Sequence, residues 1–273
     1  MIVQRLTDYI WVGLDSVISE LNILRVARTL YALKNALDNL KSYYMRVQQE
    51  SSVLSATCSD PSPARYFPSI TSYLDRKRRV HFKYEGFLED CPDCMTLHAY
   101  TLTEPARHIV VKFADRYGAK AHDILANNNP KLAPDLLYCG SPHLEDSDPS
   151  YDSLIMIVME FVDGKTLAGS KMNRRTAEMV KSRIKEALDK LHYHGLVFGD
   201  LRSGNVMITP AMEVRLIDFN WAGEQGQAQY PCLISPGIPW PAGVEALAVI
   251  EADHDLQMLE KIFLGSAPFI TDS

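Results

Sequence analysis

Leu196-Val-Phe-Gly-Asp-Leu-Arg-Ser-Gly-Asn205 and, shortly after it, Leu216-Ile-Asp-Phe-Asn220 decide how this chain folds. Each is a short apolar run that ends in an Asp, the pattern of a buried strand delivering a polar side chain at its end. Asp200 stands five residues before Asn205 and eighteen before Asp218. A single Asp after a strand reads as a turn cap. Spaced behind two such strands, the first Asp with the Asn and a second Asp reads instead as one set, the Asn and second Asp being oxygen ligands able to hold a hard cation such as Mg²⁺.

On the N-terminal side of this stretch, residues 174 to 194 predict a helix with Met179, Ile184, Leu188 and Leu191 as its apolar stripe and Gly195 as its stop. Before that helix come runs with strand character. Val80 to Leu88 and Met95 to Leu102 alternate, and Glu89-Asp-Cys-Pro-Asp-Cys94 is the hairpin turn between them. His108-Ile-Val-Val-Lys-Phe113 is a buried-type strand carrying one Lys; residues 119 to 127 read as a helix, and Leu136 to Cys139 and Leu154 to Phe161 as two more strands. The order is strand, strand, strand, helix, strand, strand. On the C-terminal side about 55 residues remain, rich in Pro and Gly, with one further helix from about Gly243 to Phe263.

Taken together and in this order, Asp200, Asn205 and Asp218 resemble the catalytic loop and metal-binding strand of the protein-kinase-like superfamily. The strand order before them matches that family's small lobe. Gly-Asp-Leu-Arg-x-x-Asn followed by Ile-Asp-Phe-x-Trp-Ala-Gly is similar to compact, atypical kinase-like proteins common in fungi. The resemblance covers about residues 66 to 265. It implies an α+β, two-lobed fold, with an antiparallel-sheet N-lobe (66–158), a reduced helical C-lobe (159–265) and an N-terminal helical extension (1–60).

The resemblance also implies roles. Asp200 would orient or deprotonate an acceptor hydroxyl. Asn205 and Asp218 would hold Mg²⁺. Arg202 takes the place of a Lys that touches the γ-phosphate. Lys112 is placed like the strand lysine that contacts the α- and β-phosphates, and Glu160 and Val162 lie where the hinge backbone meets adenine. The implied activity is ATP- and Mg²⁺-dependent transfer of a phosphoryl group to a hydroxyl of a protein Ser/Thr or a small molecule. The alternative is a pseudokinase that works as a nucleotide-binding or protein-interaction module.

Several departures bear on that choice. The helix after Lys112 offers Asp123 and His122 but no Glu. The loop that should cover the nucleotide holds Gly86 alone, where kinases use several glycines. Phe198-Gly199 replaces His-Arg, which removes a cation able to grip an activation-loop phosphate. Asn220 replaces a Gly and gives up its backbone freedom. The tail after Trp221 is short for an activation segment and substrate-docking helices. Cys91-Pro-Asp-Cys94 lacks a second cysteine pair, and His98 is not at ligand spacing from it, so no zinc site is read there.

Residues 8 to 50 form one or two long amphipathic helices, with Leu30, Leu33, Leu37, Leu40 and Tyr44 at three-and-four spacing. About two clean heptads are too few for a coiled coil, and the apolar face is open to packing or self-association. A net charge of -6 argues against general nucleic-acid binding, and Arg76-Lys-Arg-Arg79 reads as a solvated turn. Hydrophobic content of 47% and charged content of 23% are those of an ordinary globular protein, with no membrane span and no signal-peptide pattern. Five scattered cysteines, an odd number, point to free thiols in a reducing compartment, cytoplasmic or nuclear.

Overall fold

The computed structural model describes residues 17–51, 67–88, 96–142, 154–264 and 270–271. The chain divides into two compact units, Met1–Phe67 and Pro68–Ser273.

The first unit contributes one helix, α1 (Val17–Ser51). It is a single helix, and the expected start near residue 8 lies outside the described residues. Leu30, Tyr31, Leu37 and Tyr44 are exposed along it. Lys34 and Asp38 form an (i, i+4) ion pair at 2.7 Å, a spacing that supports a solvated helix.

The second unit begins with an antiparallel sheet of six strands in the order β1-β2-β3-β4-β6-β5. These are β1 (Ser72–Asp75), β2 (Arg78–Phe87), β3 (Thr96–Thr101), β4 (His108–Ala114), β5 (Leu136–Gly140) and β6 (Ile155–Glu160). The sequence predicts the last five; β1 is too short to carry a pattern. Arg76 and Lys77 form its turn into β2, both at positive φ (44° and 76°), the twist a two-residue hairpin favours. β4 is buried from Ile109 to Ala114, which puts Lys112 in the middle of the sheet. Helix α2 (Ala119–Ala126) leaves β4 and returns the chain to β5.

The rest is mainly helical. A short ribbon, β7 (Lys165–Thr166), pairs with β10 (Val206–Ile208), which pairs with β11 (Val214–Leu216). β8 (Met172–Asn173) leads into α3 (Arg174–Tyr193) and pairs with β13 (Ile270–Thr271). Asn173 caps α3, accepting the Thr176 N–H at 2.9 Å, and Gly195 ends it at φ +67°. Ile184, Leu188 and Leu191 are buried as expected, whereas Met179 is 41% exposed. The inward face runs through Ala177, Val180 and Ala187 instead, because three- and four-residue steps back from Ile184 and Leu191 reach those positions.

β9 (Leu196–Val197) and β12 (Gly223–Glu224) pair just before the loop of residues 198–205, and the last helix is α4 (Ala252–Phe263). It begins later than the sequence predicts. Gly243 and Leu247 sit at positive φ (87° and 63°), which a helix cannot use. The main chain of residues 248–250 pairs with 228–230 instead: Tyr230 N donates to Ala248 O at 2.9 Å and Ile250 N to Ala228 O at 2.8 Å. Val244 and Ile250 thereby close a small core around buried Tyr230. Among the described residues no helix is long and apolar enough to cross a membrane. Cys139 and Cys232 are free thiols; the other three cysteines lie outside the described residues.

Candidate active site

The loop that follows β9 is anchored from below by a residue that local sequence pattern did not single out. Asp255, in the first turn of α4, is 2% exposed. Its Oδ2 accepts the Phe198 N–H and its Oδ1 the Gly199 N–H, both at 2.8 Å, and His192 Nε2 lies 3.1 Å from Oδ2. A buried carboxylate that takes two main-chain donors and an imidazole is fully engaged, and it fixes the backbone on which Asp200 is mounted. The signal was an acidic residue in the first turn of an amphipathic helix, common enough to carry no meaning until the fold brings it 57 residues back to Phe198.

Gly199 has a reason of its own. Its φ is +81°, and a Cβ there would lie 2.8 Å from Ile250 Cδ1 and 3.3 Å from Trp221 Cβ. Both the left-handed conformation and the close approach demand glycine.

Asp200 then turns into the interior, 3% exposed. Asn205 Nδ2 donates to its main-chain oxygen at 2.9 Å and to Oδ2 at 2.8 Å. Arg202 approaches the same Oδ2 at 3.2 Å. The other oxygen, Oδ1, is buried with no hydrogen-bond partner. Burial pushes the carboxyl up to about 7, against the pull of Arg202 and with a further push from Asp218. A carboxyl balanced near neutrality with one free buried oxygen is able to take a proton from a group presented to it.

Across the cleft, Lys112 Nζ donates to Asp218 Oδ1 at 2.7 Å. Lys112 is 8% exposed, so this pair supplies the counter-charge its burial requires. Asp218 itself sits at φ +66°, a region Asp tolerates better than most residues. Asn220, expected to suffer from the missing glycine, is not among the positive-φ residues; the left-handed position is Asp218, two residues earlier.

The two residues of α2 that stood in for a Glu do not reach Lys112. Asp123 is exposed. His122 is fully buried and bonds to Tyr117 Oη at 2.7 Å and Pro134 O at 2.8 Å. Burial lowers its pKa to about 4, so it is a neutral imidazole. Its ring stacks on Phe219 (centroids 4.5 Å, planes at 4°), and Phe219 meets Phe198 edge-on at 5.3 Å. α2 is thus tied to Phe198 in the loop after β9 by a column of rings.

Lys112, Glu160, Val162, Asn205 and Asp218 line one cavity of about 340 Å³, roofed by Leu88 and Val110 and floored by Met207 and Ile217. Apolar faces above and below with polar groups at one end suit a flat heteroaromatic ring carrying a charged tail. Glu160 N–H is already committed to Asp135 O at 2.9 Å. Asn205 and Asp218 fit a hard cation: with Nδ2 of Asn205 held by Asp200, its Oδ1 is the free atom, and the Asp218 side chain is 27% exposed to the cleft. The expected covering turn at residues 89–94 lies outside the described residues. Five of the seven site residues read from the sequence line this cleft; Asp200 is held to it through Asn205, and Arg202 joins through its ion pair with Asp200.

A protein kinase domain model matches residues 145–234, the segment that carries α3, the loop of residues 198–205 and Asp218. Over this segment the chain is similar to the protein kinase domain. Among curated proteins this kinase-like chain is similar to a probable serine/threonine-protein kinase, PknB, of Bifidobacterium longum, 30% identical over 115 residues. It is 24% identical over 169 residues to a dual specificity protein kinase, zakA, of Dictyostelium discoideum, and 29% identical over 116 to a serine/threonine-protein kinase, PknA, of Mycobacterium tuberculosis. These matches cover 40%, 57% and 41% of the kinase-like chain but only 16%, 20% and 26% of the relatives.

Proposed function

We propose that the protein is an ATP-dependent phosphotransferase that moves the γ-phosphoryl group of ATP to a hydroxyl acceptor, a protein Ser/Thr or a small molecule. The observation that carries this reading is buried Asp200, with one unpartnered oxygen, held by Asn205, which lines the cleft together with Lys112 and Asp218. The acceptor oxygen bonds to the γ-phosphorus as the bond to the ADP oxygen breaks. The acceptor's proton passes to the Asp200 carboxylate. Arg202, 3.2 Å from Oδ2, balances charge on the transferred group, and Lys112 aligns the α- and β-phosphates. Asn205 and Asp218 would hold Mg²⁺, which supplies charge neutralisation on the phosphates when bound.

A second reading is supported by the Lys112–Asp218 pair itself. With no Glu to hold Lys112, the two groups that should divide between phosphate and metal neutralise each other at 2.7 Å. A pseudokinase would keep that pair closed. Incubation of the chain with γ-labelled ATP and Mg²⁺, alone, with a protein mixture and with a metabolite extract, tests the first reading. Label reaching any acceptor from the wild type and none from Asp200→Asn supports it. Absence of label together with no thermal shift at millimolar Mg-ATP favours the second, because a ligand well above its dissociation constant stabilises the fold by a few kcal/mol.

A further inference from the structure

The chemistry above leaves one cluster of ligand-type side chains unused. Glu85 on β2, His98 on β3 and His108 on β4 come from three adjacent strands. The β3–β4 register pairs His98 with Val110 and Tyr100 with His108, so the two imidazoles lie diagonally on one face. The β2–β3 register slips between Tyr84 and Gly86, which makes Glu85 the extra residue of a bulge. A bulge turns a side chain that regular pairing would point elsewhere, and here it turns a carboxylate toward both rings.

The distances are those of a chelating set. His98 Nε2 lies 3.0 Å from His108 Nδ1. Glu85 Oε2 lies 2.9 Å from His98 Nδ1 and 3.9 Å from His108 Nδ1. One donor atom from each residue falls within 4.8 Å of the others. A tetrahedral metal with bonds of about 2.0–2.2 Å holds its ligands roughly 3.3 Å apart, which small rotations of these side chains reach. His98 packs on Phe161 with ring centroids at 4.5 Å, which limits its rotation. His108 and Glu85 are exposed enough for an ion to enter from solvent, at 61% and 41% of their side chains.

We propose that Glu85, His98 and His108 bind one divalent transition-metal ion of the Zn²⁺ class. Two imidazoles and a carboxylate are the donors such ions favour, with a fourth position left to water, whereas Mg²⁺ prefers an all-oxygen shell. Without metal the same groups form a hydrogen-bonded chain from Glu85 through His98 to His108. With it, β2, β3 and β4 are stapled at the rim of the cleft, since Phe161 lines both the cleft and the cavity beside the histidines. The site does not depend on whether the chain transfers phosphate. Along the sequence it is invisible: two histidines ten apart and a distant Glu match no ligand spacing, and only strand pairing brings them together.

The test is titration of the chelator-stripped full chain with Zn²⁺ alone, followed by calorimetry and thermal melting, and with Co²⁺, followed by visible absorption. One ion per chain, a raised melting temperature and the intense bands of tetrahedral Co²⁺ are expected. His108→Ala, a change at an exposed ring, should weaken Zn²⁺ binding at least about tenfold, and Glu85→Gln should do likewise. The double variant Cys91→Ser/Cys94→Ser, which removes the two thiols between β2 and β3 in the sequence, should bind as the wild type does. No uptake by the wild type, affinity unchanged in both His108→Ala and Glu85→Gln, or loss in the cysteine variant alone overturns the proposal.

Discussion

The carboxylate of Asp255 accepts the main-chain N–H of Gly199 at 2.8 Å, and with it the N–H of Phe198. A side chain on the last helix therefore sets the backbone on which Asp200 stands. Asp255→Ala leaves two buried donors without acceptors, and the expected loss is roughly 2–4 kcal/mol of unfolding free energy. Denaturant melts of the variant check this; a loss below about 0.5 kcal/mol, the size of an ordinary surface change, refutes it.

Gly199 is held by conformation and by space. Gly199→Ala puts a Cβ at 2.8 Å from Ile250 Cδ1 with φ at +81°. The expected cost is about 1–3 kcal/mol from the backbone strain alone, plus the clash. Pairing it with Ile250→Val removes the clashing methyl but not the strain. The double variant should therefore be less destabilised than the sum of the two single ones, by a double-mutant cycle in melts.

Under the proposed phosphotransfer, Asp200 should set a pH dependence of turnover. Its carboxyl is pushed up to about 7 by burial, and only the deprotonated form accepts a proton. Turnover per unit substrate should rise with pH through about 7 and then level. Asp200→Asn should remove that rise and cut the rate by about 10²–10⁴, measured as kcat/KM against pH.

Stability should carry opposite marks from Asp200 and His122. Asp200 titrates higher in the folded state than in the unfolded one, so folding takes up a proton between about 4 and 7 and its contribution falls as pH rises through that window. His122, lowered to about 4 by burial, is neutral when folded and protonated when unfolded below its ordinary value. Its contribution is lost as pH falls from about 6.5 to 4. Chemical denaturation of wild type, Asp200→Asn and His122→Gln from pH 4 to 8 separates them. Relative to wild type, Asp200→Asn should gain stability as pH rises, and His122→Gln should gain it as pH falls.

The sequence by itself determined whatever depends on neighbours along the chain. Alternating runs placed β2 and β3, short apolar runs placed β4 to β6, and three-and-four spacing placed α1 and α3, because burying a face of a strand or helix imposes its pattern whatever it packs against. The intervals from Asp200 to Asn205 and to Asp218 carried the site, since one short loop and one hairpin fix their separation. Where a period met a competing main-chain demand, it misled. Residues 243–251 have an apolar helical look, yet they bend around Tyr230, and the helix waits for Ala252.

Only the tertiary structure decided partnership. Lys112 lies 106 residues from Asp218, and nothing local says that this acid, rather than one in α2, meets the ammonium. His122 looked like a substitute ion partner and became a stacked, neutral ring. Asp255, Ile250, and the grouping of Glu85 with His98 and His108 became legible only once strands and helices were placed side by side. The physical reason is the same each time. Electrostatic and steric contacts act over a few ångströms, so they are set by which distant segments pack together, and spacing along the chain records only the near ones.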